Sequence, residues 1–152
     1  MPTSDPMAHP PDQSPGSFTY EELKLSHKAS HAYQVSASVY ADFLHAFKDT
    51  SPIHVDDALA RDRGFEGKIM HGTILNGFIS HFIGVHFPGK NSLLQSVNIQ
   101  YKSPTFLNDK IQIEGVITQK IDSVKVIVLE LVLTNLSKNK VAAKAKVQVG
   151  LS

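Results

Sequence analysis

The 152-residue sequence contains no cysteine and no tryptophan, and charge of neither sign prevails: fifteen Lys and Arg face fourteen Asp and Glu, a formal net charge of +1. Without thiols there are no disulfides, thiolate zinc sites, iron–sulfur clusters or cysteine nucleophiles, so a metal would need histidines and carboxylates. Without a cationic excess the chain lacks the footprint selected by nucleic-acid backbones and anionic lipid. No apolar run approaches the ~20 residues that cross a bilayer. The first residues hold neither a basic cluster nor an apolar stretch, which predicts no secretory or transit signal there. These absences together predict a soluble, cytoplasmic protein with no membrane or nucleic-acid partner.

What is present suffices for one core, at 41% hydrophobic residues. Five of the eight prolines fall in the first fifteen residues, among Ser, Asp and Gln. Such a segment buries too little apolar surface to offset its ordering entropy, so residues 1–16 are expected to form a disordered tail before a single domain, 17–152.

Alternation over His31–Ala37 predicts a strand. Behind a Ser36 or Ser38 cap, Val39, Phe43, Ala46 and Phe47 recur at helical spacing to about Lys48. Asp49-Thr-Ser-Pro52 is turn chemistry, and Asp56–Gly64 reads as a second short helix. Gly72–Val85 is apolar on nearly every side, which predicts a buried central helix. Its small residues Gly77, Ser80 and Gly84 share a face on which a sheet could approach closely. Four strands follow: Leu93–Lys102, Lys110–Gln119, Val124–Thr134 and Lys140–Val149. Helices first and strands afterwards argue for an α+β fold, an antiparallel sheet wrapped on one helix.

Asp49 and His54 stand at opposite ends of a six-residue turn. Spacing alone leaves two readings open: a capping acid beside a half-buried histidine, or two groups facing one small volume. His71-Gly72 opens the buried helix, where backbone N–H groups have no intrahelical partner and favour negative charge. Gly72 there serves either close packing or access. If the turn packs on this terminus, the site holds a base, an acid and an oxyanion donor, the groups needed for proton transfer α to a carbonyl. His71 reads first as a residue securing the helix start, although it also stands where it could line the site. His81 and His86 are five apart, not a same-face helical spacing, which argues against a metal site. Lys68 and Lys90 read as solvated lysines rather than phosphate ligands.

Two blocks carry a resemblance. Phe47-Lys-Asp49-Thr-Ser51-Pro52-Ile53-His54, with Ala60 beyond, and Ile69-Met-His71-Gly72, with Pro88-Gly89 beyond, are similar to the motifs of MaoC-like hot-dog hydratases. These are the R-specific enoyl-CoA hydratases and 3-hydroxyacyl-thioester dehydratases. The resemblance implies a hot-dog fold, usually a homodimer joined edge to edge. It implies reversible hydration of a trans-2-enoyl thioester of CoA or acyl-carrier protein to the (3R)-hydroxyacyl thioester. By that resemblance Asp49 and His54 are the catalytic pair and the Gly72 N–H polarises the thioester carbonyl. Ser51, His71, Phe78 and Phe82 are the implied substrate-side residues; Phe78 and Phe82 double as plain core. No organic or metal cofactor is implied, because CoA or phosphopantetheine enters with the substrate. Lys48 and Ser51 depart from the family's usual Gly and Asn. A hot-dog thioesterase is the first alternative, but such enzymes usually carry an acid on or beside the central helix, and residues 72–86 contain none. A non-catalytic acyl-thioester-binding subunit is the second.

Overall fold

A computed structural model describes residues 15–152. The proline-rich segment read as a tail lies, through residue 14, outside the described residues.

Five strands form one antiparallel sheet: β1 (Lys28–Gln34), β2 (Ser92–Tyr101), β3 (Lys110–Ile121), β4 (Val126–Asn135) and β5 (Lys140–Leu151), in the order β1-β3-β4-β5-β2. Between β1 and β2 run α1 (Ala37–Phe47), α2 (Pro52–Val55), α3 (Asp57–Asp62) and α4 (Ile74–His81), the last continuing into a π turn, Phe82–His86. The hot-dog α+β architecture expected from the sequence is the one observed.

Period-two patterning fixes which face of the sheet meets the helix. Register places Ile113 opposite Leu133, Gly115 opposite Leu131 and Ile117 opposite Leu129. Val147 and Val149 of β5 extend the same face opposite Leu129 and Ile127. Glu130 pairs with Lys146 and Val132 with Lys144 on the wet face. Against the apolar face lie Leu75, Ile79, Phe82 and Ile83, all buried. Burial of each such side chain contributes about 1.5–3 kcal/mol.

Several local expectations need correction. Gly77, Ser80 and Gly84 are exposed and do not face the sheet. The large aliphatic residues of the helix fill that side. The glycine allowing close approach is on the sheet: a Cβ at Gly115 would stand 2.8 Å from Leu131 and 3.1 Å from the Phe82 ring. The first strand lies earlier than predicted, because Ser36 already caps α1, its hydroxyl accepting from Val39 N at 3.2 Å. Pro52 does more than turn the chain. Its fixed φ suits the first position of a helix, and α2 begins on it. The predicted Asp56–Gly64 helix is shortened to α3, with the Asp56 side chain capping Leu59 N. The central helix begins at Ile74 rather than Gly72, and it closes with Phe87 N donating to Phe82 O at 2.7 Å, the wider bonding of a π turn.

Candidate active site

Helix α1 stops at Lys48, whose φ of 53° is left-handed; its N–H still reaches Leu44 O at 2.8 Å. The reversal presents Asp49 beside the start of α2. Asp49 Oδ1 accepts two hydrogen bonds from Ser51, from Oγ at 2.5 Å and from the backbone N–H at 3.1 Å. These two bonds, the hydroxyl's first, hold the Asp49 carboxyl below the usual carboxylate range, with smaller help from His71 and His54. Ser51 is therefore engaged with the acid. His54 sits on α2. Its Nδ1 lies 2.8 Å from Ile69 O, and because a carbonyl only accepts, Nδ1 carries the proton. The Nε2 lone pair is then left open in the neutral ring. Tyr40 of α1 donates to His54 O at 2.8 Å, and Ile69 N donates to Ile53 O at 3.0 Å, so α2 is fixed from both sides.

The His71 imidazole, 1% exposed, is the hub of this arrangement. Its Nε2 donates to Asp49 O at 2.8 Å and lies 4.0 Å from Asp49 Oδ2. Its ring centroid is 4.2 Å from that of His54 and 4.7 Å from that of Phe43. Its Nδ1 is buried with no partner among the described residues. His71 thus secures the Asp49 loop and the His54 ring, where the sequence suggested it secures the helix start. One donor atom from each of Asp49, His54 and His71 lies within 4.8 Å of the others, a spacing that also suits a cation.

No acceptor among the described residues takes the Gly72 N–H. A Cβ at Gly72 would lie 3.3 Å from the Tyr101 ring, whose hydroxyl donates to Asn76 Oδ1 at 2.6 Å. Tyr101, on an edge strand, thereby grips the turn that carries this free donor.

Beside Asp49 opens a cleft of about 870 Å³ between α1 and α4, walled by Val39, Phe43 and Phe47 on one side and Ile74, Gly77 and Phe78 on the other. Phe78 stacks on Tyr33 at 4.8 Å, and the Tyr33 hydroxyl lies 2.8 Å from His81 Nδ1. Phe82 is not brought to this cleft; it is wholly buried against the sheet. Lys68 stands over the Tyr40 ring at 4.8 Å. His86 Nε2 is 3.0 Å from Ser30 O of β1 and belongs to neither the Asp49–His54–His71 cluster nor the cleft lining.

Sequence reasoning missed Tyr40, Asn76 and Tyr101, which lie far in sequence from the residues they hold. The helical spacing of Val39, Phe43, Ala46 and Phe47 located α1 but did not say that Val39, Phe43 and Phe47 line a cleft. In the structure α1 has an apolar stripe but no fully buried residue, so that face is left partly for something other than the core.

An antiparallel sheet rolled on one helix, with an acid–imidazole loop against that helix's first turn, defines the class: a hot-dog protein. Residues 21–139 match the MaoC like domain family. The chain belongs to that family. It is 31% identical over 98 residues to the (R)-specific enoyl-CoA hydratase of Aeromonas caviae, covering 64% of this chain and 73% of that protein. To the (R)-specific enoyl-CoA hydratase of Rhodospirillum rubrum it is 27% identical over 130 residues, 86% of this chain and 90% of that one. Among solved structures, the (R)-hydratase from A. caviae, described as involved in PHA biosynthesis, superposes with a TM-score of 0.79 at 26% identity, covering 87% of this chain and 99% of that one. An R-hydratase from Pseudomonas aeruginosa gives 0.81 at 21% identity, over 89% and 86%, a likeness of fold.

Proposed function

We propose that the protein is a hydro-lyase that adds water reversibly across trans-2-enoyl thioesters to give (3R)-hydroxyacyl thioesters. The observation that carries this reading is the cluster of Asp49, His54 and His71, with one ligand atom of each within 4.8 Å of the others, where Asp49 lines an apolar cleft and Gly72, its N–H unclaimed, follows His71 in the chain. The named activities of the relatives support it.

In the hydration direction the Gly72 N–H bonds the thioester carbonyl, where negative charge grows as C3 is attacked. Asp49 and His54 hold the water between them. Its oxygen bonds to C3 while Asp49 draws one proton from it, and the C2–C3 π electrons move toward the carbonyl as an enolate. The proton is then delivered to C2 through the Asp49–His54 pair, so H and OH are added and no cofactor is consumed. Dehydration is the same path reversed. His71 holds the two groups in register and stays out of contact with substrate.

The domain leaves strands β1 and β2 at open sheet edges, and Leu93 on β2 is 69% exposed. Unpaired edges invite pairing with a second copy, which supports a homodimer. Among the described residues no helix is long and apolar enough to cross a membrane.

The test follows loss of enoyl absorbance of crotonyl-CoA, with an R-specific dehydrogenase reading product chirality. Formation of the R alcohol, abolished in Asp49→Asn with the circular dichroism of the parent retained, is the expected result. Release of free thiol from acyl-CoA would move the protein to the thioesterases. Binding of enoyl-CoA without conversion would make it an acyl-thioester-binding subunit.

A further inference from the structure

We infer that Gly77 determines specificity for the acyl chain: by withholding a side chain from the wall of the cleft, it admits enoyl groups longer than crotonyl. The inference rests on the hydratase reading above and adds the substrate range to it.

Gly77 lies inside α4, where glycine is the poorest helix former after proline. Its backbone does not demand glycine, since the glycines with positive φ are Gly64 and Gly89. Packing does not demand it either. A Cβ at Gly77 would meet no heavy atom within 4 Å, whereas one at Gly115 would strike Leu131 and one at Gly72 would press on Tyr101. Gly77 does line the cleft. The missing side chain therefore leaves room only for what the cleft contains. Gly84 is equally open but does not line the cleft, so nothing similar attaches to it.

Chemistry says which end of a thioester would occupy that room. The pantetheine side carries amides and phosphate, and the acyl side is hydrocarbon. Of the residues that line the cleft with Gly77, Val39, Phe43, Phe47, Ile74 and Phe78 match hydrocarbon. Thr73 and Gly77 are four residues apart and share a helix face. A chain leaving a carbonyl held at Gly72 along that face crosses Gly77 before it reaches Phe78, whose ring is fixed by its stack on Tyr33.

The experiment compares kcat/KM for trans-2-octenoyl-CoA and crotonyl-CoA in the parent, Gly77→Ala and Gly77→Leu, using the full chain. Leucine is a good helix former and long enough to fill the gap. The octenoyl-to-crotonyl ratio is expected to fall at least tenfold in Gly77→Leu and by less in Gly77→Ala, with neither variant melting below the parent. An unchanged ratio in a folded Gly77→Leu protein overturns the inference and leaves the hydratase reading standing. A parent that rejects octenoyl-CoA overturns it in the same way. A lower Tm for Gly77→Ala, or a changed sedimentation mass, would place Gly77 at a contact between copies and also overturn it. A parent that hydrates neither thioester removes the hydratase reading and this inference together.

Discussion

Two glycines that look alike in the sequence should respond to the same substitution with opposite signs. At Gly115 a new methyl group lands 2.8 Å from Leu131 Cδ2 and 3.1 Å from the Phe82 ring. Overpacking of a filled core costs roughly 1–3 kcal/mol. Replacing a strand glycine by alanine returns about 0.5–1 kcal/mol of chain entropy. The net expectation for Gly115→Ala is a loss of up to about 2.5 kcal/mol. For a domain of this size each kcal/mol moves Tm by about 2–4 °C, so Tm should fall by up to about 10 °C. Gly77→Ala adds a methyl group to open space in a helix and should gain about 0.8–1.0 kcal/mol, raising Tm by about 2–4 °C. Calorimetry at one protein concentration, since self-association shifts Tm, measures both. In the Gly115→Ala background, Leu131→Val should cost less than it does alone, because it relieves the same contact. A Gly115→Ala protein that melts above the parent would refute the assignment of helix–sheet contact to Gly115.

Two further expectations concern pH. Ser51→Ala removes the larger of the two bonds that keep Asp49 ionised, so the Asp49 pKa should rise and the acid limb of the kcat/KM profile should move to higher pH; an unmoved limb would separate Asp49 ionisation from the rate. Tyr20 is pushed up from 10.0 to about 12, by burial first and then by its 2.6 Å bond to Asp122. A raised folded pKa means its contribution to stability is complete below pH 10 and drains as pH climbs through about 12. Tyr20→Phe should therefore lose less stability than the parent between those two pH values in urea titrations, and parallel curves would count against the Tyr20–Asp122 bond.

The sheet was readable in the sequence because its residues obey one simple period. Lys144, Lys146 and Gln148 alternate with Ala145, Val147 and Val149, and no tertiary contact disturbs that alternation. The central helix was readable for the opposite reason, since it is apolar almost all round. What composition could not supply was direction. Gly77 and Gly84 suggested the sheet-facing side, yet the sheet had its own glycine, Gly115, to make the approach. Asp49 and His54 were visible as a pair by their spacing and by family resemblance. The role of His71 was not, because its two partners, the Asp49 carbonyl and the His54 ring, meet it only through folding. Lys48 shows how a departure from a motif can keep the motif's geometry: it occupies the left-handed conformation that favours glycine. Ser51 departs from the usual Asn, and its hydroxyl and amide both hold the acid.

The order in which the elements lie along the chain has a consequence for synthesis on the ribosome. Asp49, His54, His71 and the whole of α4 are made before β3, β4 and β5, the strands that cover Leu75, Ile79 and Phe82. β1 waits longer for its ladder, since Lys28 pairs with Val116 and Gln34 with Lys110. Tyr20 waits for Asp122. Contacts of such sequence separation close late and slowly. The half of the chain that carries Asp49, His54 and His71 therefore emerges with its apolar helix uncovered until the C-terminal strands arrive.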